Sequence, residues 1–258
     1  MKPPNSRFLL RQLVIAVLNH RLLYLGLIAL LVAAPARAQF GVPWQRTPAI
    51  AVISIDGKDP RHALVEEAID FWNRTLQEVN SGLRLGPAVR HALPIPEEDL
   101  RTLSASIVGR RGSPVQVPPS LRGLPGDLTI LLANSDFVSF AGPFDPEGKR
   151  VVGIKGAGFR PLTLPNVALN VIAHELGHAI GLGHNSDPTK LMCGRPAPCR
   201  PDAFSSAEPK LFPLTDEEKG QLRAMYPADW KPRAVIGQIR MARHDESRRR
   251  PGSVTEGG

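Results

Sequence analysis

Three of the seven histidines of this 258-residue chain lie in one short segment, HELGHAIGLGH, which runs from His174 to His184. His174 and His178 are four residues apart, and four residues advance an α-helix by about 400°, so both rings leave one face. Two imidazoles on one face can bind a single divalent cation together. Glu175 lies about 100° round the helix, where its carboxylate borders the cation without having to bind it. The spacing predicts a metal-binding helix with an acid–base group beside the metal.

Two glycines allow a third histidine to join this pair. Gly181 follows His178 by almost one turn, where a residue without a Cβ can take the left-handed conformation that ends a helix. Gly183 then helps the chain double back and bring up His184 as a third nitrogen ligand. Three protein ligands leave a tetrahedral Zn²⁺ with one open position for water, which distinguishes a catalytic zinc from a structural one.

An ordinary core helix is the alternative explanation of this segment. A bare HExxH pattern arises by chance on amphipathic helices, and its two histidines could be packed side chains. The apolar residues that would form such a buried face are Val167, Val171, Ile172, Leu176, Ala179 and Ile180. The extra glycine, the third histidine and Met192 eight residues further on are separate requirements that chance rarely meets together. The sequence therefore favours zinc.

The motif HExxHxxGxxH with a downstream methionine resembles the signature of the metzincin metallopeptidases. The spacing from His184 to Met192 is similar to that of the matrixin branch, and the segment over 214–227 resembles the last helix of matrixin catalytic domains. The resemblance is strong over 165–192, fair over 49–82 and 214–227, and weak between these segments. It implies an endopeptidase that hydrolyses peptide bonds with water activated by one Zn²⁺.

The resemblance also implies roles for individual residues. Glu175 would be the general base that accepts the proton of the attacking water. Met192 would form a turn beneath the zinc and pack there without binding it. The strand over 151–155 would be the sheet edge along which a protein or peptide substrate lies extended. Asp145 and Glu147, in a DPEG turn, could ligate Ca²⁺.

The only two cysteines, Cys193 and Cys199, follow Met192 closely. An even number of cysteines in an oxidising compartment predicts a disulfide, which would close the Pro-rich loop between them. A zinc-binding thiolate is the alternative, but three histidine ligands make it unnecessary.

The first 38 residues have the features of an export signal. Basic residues extend to Arg21, an apolar run covers Leu22 to Ala34, and the small-x-small pattern Ala36-Arg37-Ala38 predicts cleavage after Ala38. The apolar run is shorter than the roughly 20 residues that a membrane-spanning helix needs. We therefore expect a periplasmic or secreted protein that is not inserted in the membrane once the leader is removed. An uncleaved anchor is the alternative, because the charged region is long and includes further apolar residues.

The formal net charge of +8 comes from the two ends of the chain. The leader carries five basic residues and no acid, and residues 231–258 carry seven basic residues and three acids. The body over 39–230 is nearly neutral, so the basic composition does not indicate nucleic-acid binding. The last 28 residues are predicted to be a disordered tail.

The body is predicted to be one α+β domain over 49–230, after a short lead-in at 39–48, and it is expected to be a monomer. By the resemblance it is a zincin-like domain, with a twisted mixed sheet, an N-terminal helix, the zinc helix and a C-terminal helix. Apolar, β-branched runs predict strands at 49–56, 127–133 and 151–155. A less regular segment at 82–91 is predicted to be one more strand.

Capping residues predict where three helices begin. Asp59 as N-cap and Pro60 as first residue start a helix that ends near Asn80. Asn166 is the expected N-cap of the zinc helix. A capping box with Thr215 as cap and Glu218 three residues later starts the last helix. The connecting segments are predicted to be an acidic turn or short helix at 94–100 and loops at 109–126 and 139–150.

Overall fold

The computed structural model describes residues 42–109, 115–145, 147–194 and 210–233. The leader, Cys199 and nearly all of the C-terminal tail lie outside the described residues. The predictions of an export signal, a disulfide and a disordered tail therefore stay predictions.

In the described part of the chain, five strands form one mixed sheet in the order β2–β1–β3–β5–β4. Four of them run parallel, and β4 runs antiparallel along β5. Their bounds are β1 Ile50–Ser54, β2 Ala88–Ala92, β3 Leu128–Leu132, β4 Phe140–Pro143 and β5 Arg150–Ile154. Every residue of β1, β3 and β5 is buried, as expected of interior parallel strands covered on both faces. The mixed sheet with its helices confirms the predicted α+β class.

The sheet edge differs from the prediction, because β5 is an interior strand with β3 on one side and β4 on the other. The loop predicted over 139–150 contains β4, which forms the edge instead. The segment Phe140–Pro143 has no alternating or β-branched pattern, so its sequence carries little strand signal. A Cβ on Gly153, its partner across the strands, would collide with the Phe140 ring. The missing side chain at Gly153 is what lets β4 pack there.

The helices lie on both faces of the sheet and produce three layers. They are α1 His62–Glu78, α2 Glu97–Gly109, α3 Pro165–Ala179 and α4 Asp216–Met225. Apolar side chains of α1, α3 and α4 share one core with one face of β1, β3 and β5. Trp72 of α1 is fully buried there, and its indole N–H donates to the Ala173 carbonyl of α3 over 2.9 Å. This hydrogen bond connects the two helices that support the histidines.

The opposite face of the sheet is covered by α2, which is longer than the acidic turn or short helix predicted at 94–100. Leu100 and Leu103 pack against Leu131 of β3 and Phe140 of β4. The predicted exposed loop at 109–126 also contributes, since it contains a short 3₁₀ helix at Pro119–Leu121 whose leucine is buried. The underlying sheet surface decides both features, and local spacing does not reveal them.

The predicted caps of the first helix and the zinc helix are wrong in position. The helix α1 begins at His62, two residues later than predicted, with Arg61 as its N-cap residue. The Asp59 carboxylate closes the preceding turn by accepting from the Arg61 N–H and guanidinium at 2.5–2.9 Å. The helix α3 begins at Pro165. Asn166 faces the core instead, and its side-chain oxygen accepts from the Lys210 N–H over 2.9 Å. The Asp59 side chain is thus used within the turn before α1, whereas a tertiary hydrogen bond takes the side chain of Asn166.

The described part of the lead-in, residues 42–48, packs on the domain. Trp44 is 6 % exposed, and its indole N–H donates to the Ala179 carbonyl at the end of α3 over 2.9 Å. The Arg150 guanidinium lies 4.3 Å from the centre of the Trp44 ring and donates to the same carbonyl. Arg46 forms an ion pair with Asp127 before β3. The lead-in therefore belongs structurally to the domain.

The predicted capping box of α4 is confirmed. The Glu218 N–H donates to the Thr215 hydroxyl over 3.1 Å, and the Thr215 N–H donates to the Glu218 carboxylate over 2.7 Å. We expect Thr215→Ala to lower the free energy of unfolding by about 1 kcal/mol, the usual value of such a cap. Urea denaturation of the parent and the variant measures the difference. An unchanged midpoint would show that the cap contributes nothing.

Burial of His62 predicts a pH dependence of stability. The residue is 3 % exposed, and Ser54 Oγ lies 3.1 Å from its Nε2. Burial, followed by the nearby Arg90 guanidinium, lowers the pKa of His62 in the folded state. Unfolding below about pH 6.5, the usual histidine value, then takes up a proton, so stability falls as the pH is lowered through this window. His62→Gln should reduce this fall in urea titrations at about pH 7 and pH 5; an equal fall in both proteins would contradict the assignment.

Candidate metal centre

The three predicted histidines converge at the C-terminal end of α3. Nε2 of His184 lies 3.2 Å from Nε2 of His174 and 2.9 Å from Nε2 of His178. One ligand nitrogen from each of the three rings lies within 4.8 Å of the others. A tetrahedral zinc with Zn–N distances of about 2.0–2.1 Å places its ligand nitrogens about 3.3–3.4 Å apart. The observed spacing is close to that value, so the residues fit a zinc ion.

In His174 and His178, the ring nitrogen that faces away from the centre is hydrogen-bonded to a backbone carbonyl. Nδ1 of His174 lies 2.7 Å from the Leu191 carbonyl, and Nδ1 of His178 lies 2.8 Å from the Leu182 carbonyl. A carbonyl can only accept, so in each ring Nδ1 carries the proton and Nε2 presents its lone pair to the centre. Burial, followed by the neighbouring His174, lowers the pKa of His178 well below its usual range, which favours the neutral ring. Neutral imidazole is the form that binds metal.

Gly181 makes the return of His184 possible, as predicted. Its φ of +113° lies in the region that side chains disfavour, and its N–H donates to the His178 carbonyl over 2.9 Å. The Leu182 N–H donates to the Gly177 carbonyl over 3.0 Å and closes the end of the helix. The chain leaves α3 in a tight turn and places the third imidazole against the first two.

Glu175 follows the first histidine and is 7 % exposed. Burial raises the pKa of its carboxyl to about 8. Its oxygens do not belong to the group of converging ligand atoms, which the three histidines form by themselves among the described residues. This agrees with the expected separation between a ligand set and a neighbouring proton acceptor.

Met192 lies under the turn of α3 that carries the first two histidines. It is fully buried, and a Cβ on Gly177 would collide with its Sδ. Gly177 lies between the two histidines, and its missing side chain makes room for Met192. Cys193 is also buried, and because Cys199 lies outside the described residues the disulfide stays a prediction.

The turn with the predicted calcium ligands does not gather further ligands in the described part of the chain. The Asp145 carboxylate accepts from the Lys149 N–H over 2.9 Å and so closes its own turn. Neither Asp145 nor Glu147 takes part in a group of three or more metal-ligating side chains among the described residues. Calcium binding therefore stays a prediction, and the described residues around Asp145 and Glu147 form no site with several ligands.

Three residues that sequence reasoning did not select support the end of α3. The Ala179 carbonyl accepts from Trp44 and Arg150, and the Tyr226 hydroxyl donates to the Ile180 carbonyl over 2.7 Å. Arg150 is buried, and its charge faces the Ala179 carbonyl at the negative end of the helix dipole. The supporting residues come from the lead-in, from β5 and from the end of α4. Neither spacing nor a motif connects them, so the sequence offered no signal.

Comparisons with known proteins found similarity only among solved structures. No protein-family model matches the chain, and no curated protein matches it. Among solved structures, it is similar to archaemetzincin from Methanopyrus kandleri, with 17% sequence identity and a TM-score of 0.37, over 70% of this chain and 96% of that chain. A TM-score of this size supports no inference about function, so the geometry of the site is the basis for a functional assignment. No helix among the described residues is long and apolar enough to cross a membrane.

The contact between Gly177 and Met192 gives a prediction with a matched control. Gly177→Ala should destabilise the fold by about 1–3 kcal/mol, because its new methyl group overlaps a buried side chain. Gly220→Ala, in α4, has no atom closer than 3.8 Å to its new Cβ and should stabilise the fold by about 0.5–1 kcal/mol. Thermal unfolding of both variants measures the effects. Equal effects of the two substitutions would show that Met192 simply moves aside.

Proposed function

We propose that this chain is a zinc-dependent endopeptidase of matrixin type. The observation that supports it is the convergence of three Nε2 atoms, from His174, His178 and His184, beside a buried carboxylate. Two of the rings are already fixed in the tautomer that a metal requires. Three protein ligands are the number found in catalytic zinc sites, which keep one position open. The branch within the metzincins is proposed from the sequence motif.

The chemistry divides between the metal and the protein. When bound, zinc lowers the pKa of a coordinated water and polarises the substrate carbonyl. Glu175 accepts a proton on its carboxylate as the water attacks, and returns that proton to the amine that leaves. Its buried position suits this role, because burial makes the carboxyl easier to protonate, with a pKa of about 8 before any cation is added. A neighbouring dication favours the ionised form that the attack requires.

The substrate of this activity would be a protein or peptide in an extended conformation. Strand β4 pairs with β5 on one side only, and the described residues provide no strand for its other side. Such an edge can accept a peptide as an added strand. The helix α3 packs against both β4 and β5, so this edge adjoins the element that carries the metal ligands. We therefore place the substrate along β4 and not along Val151 to Lys155.

The cellular setting is proposed from the sequence. We infer export through the leader with cleavage after Ala38, and a monomer in the periplasm or outside the cell. An oxidising compartment would also support the disulfide between Cys193 and Cys199. The near-neutral body gives no reason to expect nucleic acid as a partner.

Two other functions use the same geometry. A zinc-bound protein without catalysis could bind proteins in the same cleft, but it would have no need of Glu175. A peptidase restricted to one partner, or to its own processing, would keep Glu175 and leave general substrates uncut. A peptide library and a native partner distinguish these functions, because the first function cleaves neither and the second cleaves only the partner.

Glu175→Gln is the decisive variant. We expect it to retain zinc, because the carboxylate is outside the ligand group, and to lose hydrolysis by about 10²–10⁴-fold, the usual contribution of a general base. Cleavage of the library and the zinc content are measured on the same preparations, and chelation should abolish the activity of the parent. Glu217→Gln, an exposed neighbour of Glu218 in α4, is the control. Hydrolysis by Glu175→Gln at the parental rate would remove Glu175 from the mechanism.

A further inference from the structure

Asn185 directly follows the third histidine and makes four hydrogen bonds. Its backbone N–H donates to the Met192 carbonyl, and its carbonyl accepts from the Gly194 N–H, each over 2.9 Å. Its side-chain oxygen accepts from the Asp187 N–H over 2.8 Å. Its side-chain amide donates to Oε1 of Glu218 over 2.6 Å. The residue next to the metal ligand is therefore fixed to the loop of Met192 on one side and to α4 on the other.

Glu218 is 4 % exposed, and a carboxylate is buried in proteins only when its oxygens are paired. One oxygen accepts from the Asn185 amide, and the other accepts from the Thr215 N–H over 2.7 Å. The charge also lies in the first turn of α4, where the helix dipole favours an anion. The same carboxylate therefore closes the capping box of α4 and holds the loop of the metal centre.

We propose that Glu218 is a positioning residue of the zinc site, which sets the place of the His184 ring through Asn185. The inference rests on the zinc site proposed above. His174 and His178 are fixed by a shared helix and by carbonyl partners, so they do not depend on α4 in this way. His184 lies in the irregular loop after α3, and its position depends on the contacts of that loop.

The hydrogen bond from the Asn185 amide to the Glu218 carboxylate is the contact of this loop that we expect to matter most for the position of His184. A hydrogen bond to an ionised carboxylate is roughly twice as strong as one between neutral groups. The other three hydrogen bonds of Asn185 connect residues of the same short loop, from Asp187 to Gly194, which Leu191 and Met192 hold against α3, and none of the three reaches α4. The bond to Glu218 is the one that connects Asn185 to a helix.

Glu218→Gln tests the proposal in the mature protein with zinc itself as the probe. The new side chain has the same size, and its oxygen can still accept from the Thr215 N–H, but its amide then faces the Asn185 amide. Two donors cannot bond, so the loop loses its attachment to α4. We expect the zinc dissociation constant, measured by competition with a chromophoric chelator, to rise about tenfold, the lower range for partners behind a metal ligand.

Two controls separate positioning from helix stability and from charge. Thr215→Ala removes the hydroxyl cap of α4 and leaves the bond between Asn185 and Glu218 in place. Glu217→Gln removes an exposed carboxylate from the same turn. Both should bind zinc about as tightly as the parent. If Thr215→Ala weakens zinc binding as much as Glu218→Gln does, the effect comes from the stability of α4 and the proposal is overturned.

A double substitution tests the bond itself by exchanging donor and acceptor. Asn185→Asp alone places two carboxylates against each other and should also weaken zinc binding. Combined with Glu218→Gln, the new amide at position 218 donates to the new carboxylate at position 185, and affinity should return close to the parental value. Double and single variants with equal losses would overturn the proposal. A parent protein that binds no zinc would reject the proposed function itself, whereas equal binding by parent and Glu218→Gln would reject only the positioning role.

Discussion

The metal centre depends on how the C-terminal end of α3 is held. A helix ends with carbonyl groups that have no partner in the helix, and burying them unpaired is costly. Here the Ala179 carbonyl accepts from Trp44 and Arg150, and the Ile180 carbonyl accepts from Tyr226. These donors come from segments far apart in the sequence, before the sheet, within it and after the last helix. Only with this end fixed can the following turn deliver a third imidazole to a defined place.

A second constraint fixes the loop beyond that turn. Met192 fills the space left by the absent side chain of Gly177, so the loop packs directly against the helix that carries two ligands. The Leu191 carbonyl, next to it in the chain, holds Nδ1 of His174. Packing and tautomer are therefore set by neighbouring residues of one loop. This gives the methionine a physical role in the site that does not involve binding the metal.

The sheet links these local constraints to the proposed substrate. The strands β1, β3 and β5 are buried on both faces, with α1 and α3 on one side and α2 on the other. Within the described part of the chain, the short antiparallel β4 is the last strand of the sheet next to β5, and α3 packs against both. A substrate laid along this last strand would meet a platform that is packed on both faces. The extra layer formed by α2 supports the platform from the face opposite the histidines.

The sequence by itself determined which three histidines converge, the glycine turn that returns the third of them, the segments that form β1, β3 and β5, and the capping box of α4. These features depend on spacing within one element, where the periods of helix and strand translate directly into geometry. It did not determine the edge strand, the length of α2 or the true start of α3. Nor did it reveal that Trp44, Arg150 and Glu218 belong to the surroundings of the metal centre. Those outcomes depend on which surfaces meet after folding: a ring over Gly153, carbonyls that need donors, a carboxylate that needs amides. Contacts between residues distant in the chain leave no periodic pattern, so only the tertiary structure could decide them.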